Sequence, residues 1–390
     1  MGASLSARLL DALGDDRKHT ALVVRAGYQP VGGEGNVVMP PTFPVDKNEK
    51  DLTKKYIVAD RLVDGEQVKT VTIDQEQSQS NRLEEALRDA RDGGRLTLPM
   101  FELRTKTSRG EIRLTSLDFP HRYADAYLRD STIGGVRFDQ SAIGERLRAV
   151  SVTDVRPLFE REPLSLVLGA WDSHRKGRWP RFARLYTATM YGVTPHFAAR
   201  RGGRLDPQNL TGSVDDKAKA ENHWKFVADG EKKKGGKLSE IGHGNIAPNP
   251  VPGGATVKEI RRIASISFAG LERLRFGDAS AEASVAGRAT LAALALVGDR
   301  LAFGRPSVWL RSGCDLAKAS ETVGLELPGG SVEELEVSVR EALDAYHELR
   351  DEAARLGVPM ADNTIEVRPM PSLQEAIEFA FAQSAANDEE

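Results

Sequence analysis

Hydrophobic and polar positions change their period several times along this chain, and each change marks an element. "TALVVRAGY" (Thr20–Tyr28) is a β-rich apolar run that predicts a first strand. The Gly/Pro/Lys-rich passage from Val31 to Lys55 has no periodicity and predicts a long loop. "KKYIVADRLV" and "QVKTVTID" flank "DGE" as the two arms of a hairpin. In "SQSNRLEEALRDARDGG" (Ser78–Gly94) the period becomes helical, with Leu83, Ala86, Leu87 and Ala90 on one face, a polar cap before them and glycines after.

Between Leu117 and Arg148, "DFPHRYADAYLRDS" and "SAIGERLRAV" carry two shorter helical patterns, which predict a compact helical insertion. "PLSLVLGAWDSH" (Pro163–His174) has the length of a buried strand, and "ARLYTATMYGVTP" (Ala183–Pro195) begins by alternating as a half-buried strand does. His196–Gly254 is rich in Gly, Lys, Asp and Asn, with "EKKKGGK" at its centre. A segment of that kind is expected to be disordered or a functional arm. Order returns at "VKEIRRIASISF". A helix over about Ser280–Phe303 follows, then strands at "SVWLRS" and "TVGLELP", a long helix over about Val332–Leu356, a strand at "TIEVRPM" and a closing helix. No internal repeat interrupts this order. The succession predicts an α+β fold with a ferredoxin-like sheet carrying large insertions.

Composition narrows the function classes. Across 390 residues, 40% hydrophobic and 28% charged content is that of a soluble globular protein. One cysteine, Cys314, excludes an internal disulfide and any multi-cysteine zinc site, and fits a cytoplasmic address. The apolar run "ATLAALALVG" (Ala289–Gly298) is too short to span a bilayer, so no membrane partner is expected. "MGASLS" matches an N-myristoylation pattern, but it runs into an amphipathic helix, "LSARLLDAL", without a polybasic flank.

Charge is segregated. Trp171–Arg204 holds eight Arg and Lys against one acid, whereas Ser331–Glu390 holds four against fifteen, although the formal net charge is only -3. Such a local field attracts a polyanion to one region, which makes nucleic acid the first partner to test. At the centre of the basic region, "WDSHRKGRWPRFARL" (Trp171–Leu185) joins the two predicted strands. Trp171, Ser173, His174, Arg175, Lys176, Arg178 and Arg181 are its candidate RNA contacts, because guanidinium forks suit phosphates and flat rings suit unstacked bases. A solvated loop with its tryptophans anchored in the core reads equally well. "QSQSNR" brings Ser78, Gln79, Asn81 and Arg82 to a helix N-terminus, where they can meet a phosphate or simply cap the helix. "HRYADAYLRD" places His121, Arg122 and Arg129 nearby in sequence, with Arg122 and Arg129 on one helical face and Asp125 the nearest ion-pair partner of Arg122. Arg200 and Arg201, His243 and Asn245, and Arg261 and Arg262 complete the candidate set.

No phosphate loop is present, and "VGGEGNVV" lacks the spacing and the following helix of a dinucleotide site. The seven histidines have no metal-ligand spacing, so neither a metal nor another cofactor is expected. Asp172, Ser173 and His174 do not form a triad by adjacency, since neighbouring side chains on an extended chain point to opposite faces. His121, His174 and His243 stay open as general bases for metal-independent RNA cleavage.

"QSQSNRLEEAL", "TSLDFPHRYADAYLRDS", "PLSLVLGAWDSH", "SEIGHGNIAPNP" and "RRIASISFAGLERLRF" occur in that order. Together they resemble the backbone subunit of type I CRISPR surveillance (Cascade) complexes. This is the "Cas seven" family of the RAMP superfamily, in the subtype once lettered U and now G. The resemblance runs from about Tyr28 to Phe276 and is weakest in the acidic C-terminal part. It implies one decorated RNA-recognition-motif domain over 1–390, shaped into palm, fingers and thumb. Fingers correspond to the helical insertion at 97–160, the thumb to a flexible loop at 196–255, and an acidic, mostly helical part occupies 331–390. It further implies a non-enzymatic ribonucleoprotein subunit whose partners are guide CRISPR RNA, the target DNA strand paired to it, further copies of the same chain in a helical array and other Cascade subunits. The alternatives are a metal-independent guide-RNA-processing endonuclease of the same superfamily and a small-molecule enzyme whose basic groove holds a phosphorylated substrate.

Overall fold

The computed structural model describes residues 3–172, 180–204, 207–208, 219–221, 225–226, 236–237 and 246–389. Helix α1 (Leu5–Ala12) begins where the Ser4 hydroxyl accepts from the Ala7 amide. It leads into β1 (Ala21–Pro30). The passage from Val31 to Lys55 crosses without a strand. It is pinned by a bridge between Val38 and Ala255 and by the Cys314 thiol, which accepts from the Met39 amide and donates to the Met39 carbonyl. β2 (Val58–Val63) and β3 (Glu66–Asp74) then form the expected hairpin. Asp64 and Gly65 turn it with φ of +52° and +86°, the sign a type I′ turn requires at both positions. α2 (Glu76–Asp92) buries Leu83, Leu87 and Ala90 completely, as its period predicted.

The insertion after α2 is built differently from expectation. β4 (Met100–Thr107) and β5 (Gly110–Thr115) form a hairpin, and α3 (Ala126–Arg129), β6 (Ser131–Ile133), β7 (Val136–Arg137), α4 (Ala142–Arg148), α5 (Arg156–Arg161) and α6 (Leu164–Val167) follow. The helical insertion expected at 97–160 is therefore mixed, with only short helices. Within the strand expected at Pro163–His174, Leu164–Val167 form helix α6, because a short, largely apolar run carries no period to separate the two, and Ser173 and His174 lie outside the described residues. The basic connection thus joins a helix to a strand, β8 (Tyr186–Val193).

The segment expected as a loop at 196–255 is strand at both ends. β9 (His196–Arg204) pairs antiparallel with β13 (Ile246–Thr256) as a two-stranded ribbon, and β10 (Lys219–Glu221), β11 (Lys225–Phe226) and β12 (Gly236–Lys237) form a small sheet between them. Beyond Phe197, which stacks on Tyr56 at 5.1 Å, "HFAARRGGR" offers little apolar side chain to bury, so backbone pairing makes most of it a strand. β14 (Glu259–Ser267), α7 (Phe268–Glu272), α8 (Ala281–Phe303), β15 (Ser307–Trp309) and β16 (Asp315–Glu326) come next. The helix expected from Val332 is preceded by β17 (Val332–Glu334). It starts as α9 (Val339–Arg355), where Ser338 and Glu341 close a capping box. β18 (Thr364–Pro369) and α10 (Pro371–Glu389) end the chain.

The fold is α+β. In its main sheet the four strands β16, β1, β14 and β8 are neighbours in that order and antiparallel throughout. Since the chain runs β1, α2, β8, β14, α8, β16, this is the βαββαβ connection of a ferredoxin-like sheet. β3 and β2 extend it past β8, and β15 extends it past β16. Leu22, Val24, Ala188, Ala264 and Ile266 face α2 and α8 in one hydrophobic core, and α1 and α9 pack on the far side of α8. α8 is long and apolar enough to cross a membrane by composition, but it is the central core helix, most of it buried against these neighbours. A second sheet, ordered β5, β4, β18, β6, β7, is completed by the C-terminal strand, parallel to β4 and antiparallel to β6.

α2 and α8 cross at Gly298, where a Cβ would stand 2.4 to 3.0 Å from the side-chain carbons of Leu83. Gly298→Ala is expected to destabilise the protein by about 1–3 kcal/mol through overpacking. In denaturant titrations the cost should shrink when Leu83→Ala is added, because the two changes share one space.

Candidate nucleic-acid interface

A cleft of about 420 Å³ lies between the outer face of α2 and the segment from Leu117 to Arg122. Gln77, Asn81, Glu84 and Arg88 line it from α2 at helical spacing, and Arg184 and Arg311 enter from the residues flanking β8 and β15. The three motifs "QSQSNR", "HRYADAYLRD" and the basic connection therefore meet at one place, although they lie far apart in sequence. Arg184 also lines a neighbouring cleft of about 370 Å³ with Arg181, Phe182 and Arg273.

Their residues play different parts. Asn81 is exposed on the cleft wall and Ser78 is half-buried. Gln79, a predicted RNA contact, is completely buried. Its amide donates to Asp74 at 2.8 Å and accepts from Arg262 at 2.9 Å, so it works inside the core. Arg82 is turned the same way, donating to the Asp74 carboxylate at 3.2 Å and to the Trp309 carbonyl at 3.4 Å.

Arg122 is also a correction. Its Nε donates to Glu84 at 2.7 Å and its Nη1 to the Gly169 carbonyl at 2.9 Å, and it is 8% exposed. Asp125, the partner expected for it, instead accepts from the backbone amides of His121 and Tyr127 and caps α3. Arg122 and Arg129 share no helical face, because Arg122 stands in a short 3-10 turn and Arg129, on α3, forms a bidentate pair with Asp130. Arg122 holds φ at +52°, a left-handed conformation that costs a non-glycine residue about 1–3 kcal/mol. His121 beside it is exposed.

On the connection, Trp171 is 53% exposed and the Arg181 guanidinium lies over its ring at 5.1 Å. Ser173, His174, Arg175, Lys176 and Arg178 lie outside the described residues, as do His243 and Asn245. Arg200 and Arg201 are exposed on β9 of the ribbon. Adjacent residues of a strand point to opposite faces, and β14 divides its two arginines that way. Arg261 is on the open side of the sheet, paired with Asp64 at 2.5 Å and Glu259 at 2.8 Å. Arg262 points inward with no exposure and pairs with Asp299 at 2.5 Å, so the RNA contact expected of it is overturned. Arg25, Ile263, Ser265, Thr187 and Thr322 share the open face with Arg261, and Thr187 and Ser265 are hydrogen-bonded across strands.

Burial and neighbouring guanidinium groups together set the electrostatics. Burial raises the Glu84 carboxyl above its ordinary value against the pull of Arg122. Burial likewise pushes the Glu162 carboxyl up to about 8, against a bond from Ser116 and the charge of Arg122. At Asp299 burial works in the same upward direction, but Arg262 and Arg300 outweigh it and hold the carboxyl well below the usual range. Among the described residues no three His, Cys, Asp or Glu side chains gather as a metal site. The arrangement offers guanidinium, amide and ring groups on exposed surface, which is the chemistry of binding phosphate, sugar and bases.

A family described as CRISPR-associated protein GSU0053 has a model that matches residues 22–195. The matching family is CRISPR-associated. The matched segment runs from β1 to just past β8. It contains both stems of the basic connection and every wall of the larger cleft except Arg311. The resemblance to a CRISPR-associated family therefore holds over that segment, which is less than half of the chain. No curated protein matches the chain.

Sequence reasoning missed Gln77, Arg88 and Arg311. The first two could have been found, since they stand four before and seven after Asn81 on the polar face of α2. Arg311 carries no local signal.

Glu162 gives a pH test. Its folded value is raised, so its contribution to stability is fully present below the unfolded value near 4.5 and is lost as pH rises through about 8. Glu162→Gln is expected to raise the denaturation midpoint, relative to the parent, far more at pH 8 than at pH 5. An equal shift at both would show that Glu162 is not held neutral by burial.

Proposed function

We propose that this chain is a guide-RNA-binding backbone subunit of a type I CRISPR Cascade complex and is not itself an enzyme. It polymerises along the spacer of the guide and supports recognition of the paired target DNA strand. The observation that carries this reading is the exposed Trp171–Arg181 contact across the two stems of a basic connection whose Arg184 lines a polar cleft, on a ferredoxin-like sheet and within a segment matching a CRISPR-associated family. In this reading the main sheet is the palm, residues 97–160 are the fingers and residues 196–255 the thumb. Further copies of the chain and other Cascade subunits are its protein partners, and its address is the cytoplasm. Arg181, Arg200 and Arg201 contact phosphate, and Trp171 stacks on bases without reading them.

Purification from cells that express a guide should bring down short RNA of uniform length, and its absence would remove the reading. Incubation with repeat RNA in the absence of metal tests the endonuclease alternative, since cleavage lost in His121→Ala would replace a scaffold by a nuclease. Replacing Arg181, Arg200 and Arg201 by Ala is expected to weaken binding equally for unrelated RNA sequences. The log–log salt dependence should flatten by about 0.7 for each single-strand phosphate that the protein no longer neutralises. Loss of affinity for one sequence alone would indicate base readout instead.

A further inference from the structure

The two stems of the basic connection are clamped together by backbone hydrogen bonds. Ala170 and Phe182 exchange both backbone hydrogen bonds, at 3.1 and 3.0 Å, and the Leu185 amide donates to Val167 at 2.9 Å. The Arg184 Nε donates to the Leu168 carbonyl at 3.3 Å. At the centre of the clamp Gly169 adopts φ of +80°, and a Cβ there would meet the Arg184 nitrogen and the Phe182 oxygen at 3.0 Å. The first stem can approach the second this closely only at a glycine.

The clamp is tied to the rest of the fold through the Gly169 carbonyl, which accepts from Arg122 at 2.9 Å. Arg122 in turn is seated on Glu84, in the middle of α2. Its guanidinium is buried, so its charge cannot serve a polyanion in solvent. Its planar fork, however, can bond a carboxylate with one edge and a carbonyl with another, which a lysine cannot reproduce. Arg122 makes these two bonds from a left-handed backbone, a strained conformation that the surrounding contacts must hold in place.

We infer that Arg122 is a positioning residue for nucleic-acid binding: through Glu84 and Gly169 it fixes the stems of the basic connection against α2, so that Trp171 and Arg181 act as one preformed contact. This rests on the reading of that surface as RNA-binding. Preformed geometry removes an ordering cost from binding, so loss of the anchor weakens affinity without removing an exposed charge.

The test is a double-mutant cycle read with labelled single-stranded RNA of mixed sequence. Arg122→Lys keeps the charge beside Glu84. The pair Glu84→Leu with Arg122→Met removes the anchor without leaving a buried charge unpaired, and it serves if the single variant folds poorly. Each is expected to weaken binding by about tenfold in the parent and by less than about twofold when Trp171→Ala and Arg181→Ala are already present, the coupling of residues that act through one another. Without RNA and well below the melting temperature of each variant, tryptic cleavage after Arg181 and Arg184 should quicken relative to the parent. If Trp171→Ala with Arg181→Ala binds RNA as the parent does, the RNA reading of this surface fails and the inference falls with it. If that variant binds weakly but both anchor variants bind normally, or lose the same factor in both backgrounds, the inference alone is overturned.

Discussion

A guanidinium with no access to solvent stands at the centre of this fold, and burying it obliges the surrounding elements to meet. Arg262 projects from β14, in the middle of the sheet, and pairs with Asp299 of α8. Tyr186 of β8 donates to the same carboxylate oxygen, and Gln79 of α2 accepts from the Arg262 Nε. Arg300 bonds the other oxygen of Asp299 and reaches Glu321 of β16. Phe303 covers the guanidinium at 3.7 Å. An unpaired charge in this place would cost several kcal/mol, whereas replacement of a whole buried pair by apolar groups is often neutral. The network therefore contributes less as a source of stability than as a constraint on register. α2, α8 and three strands each contribute a side chain to it, so it ties their positions to one another. Because Gln79 is held inward, Gln77, Asn81 and Glu84 are turned to the opposite side, and the cleft exists where that side meets the 117–122 segment.

The same dependence links the two ends of the chain. The segment that matches the CRISPR-associated family supplies β1 and β8 but neither β14 nor β16, the strands on each side of β1. It supplies β4 and β6 but not β18, which separates them in the second sheet. The part of the protein with the family signature thus relies on later residues for its ladders and for Asp299. α9 closes the outside of α8 with Ala342, Ala345, Tyr346 and Leu349 on one stripe, so the acidic C-terminal region has an apolar inner face and belongs to the core as well as to the surface.

Local signals in the sequence determined the elements whose causes are local. The Asp64–Gly65 turn, the leucine stripe of α2, the long apolar helix α8 and the alternation around Tyr186 all follow from residues a few positions apart, where backbone preference and amphipathic period act. The strand order does not follow from the expected elements, because Leu164–Val167, inside the strand expected at Pro163–His174, form helix α6, and the strand between β1 and β8 is β14. Tertiary structure decided the rest because the deciding partners are distant. Insertion strands β4 and β6 find β18 more than 230 residues later. The apolar run at Pro163–Val167 became helix among neighbours that leave it no exposed face. Most of all, the sequence by itself could state that arginines and amides cluster near "QSQSNR", "HRYADAYLRD" and "RRIASISF", but not which of them reach solvent. Arg262 and Arg122 have the same composition of charge as Arg261 and Arg181. Their separation into buried anchors and surface groups rests on one-residue alternation along β14 and on Glu84 and Asp299, carboxylates 38 and 37 residues away. A charge is drawn into a core only when its partner is already there, and that condition is met in three dimensions.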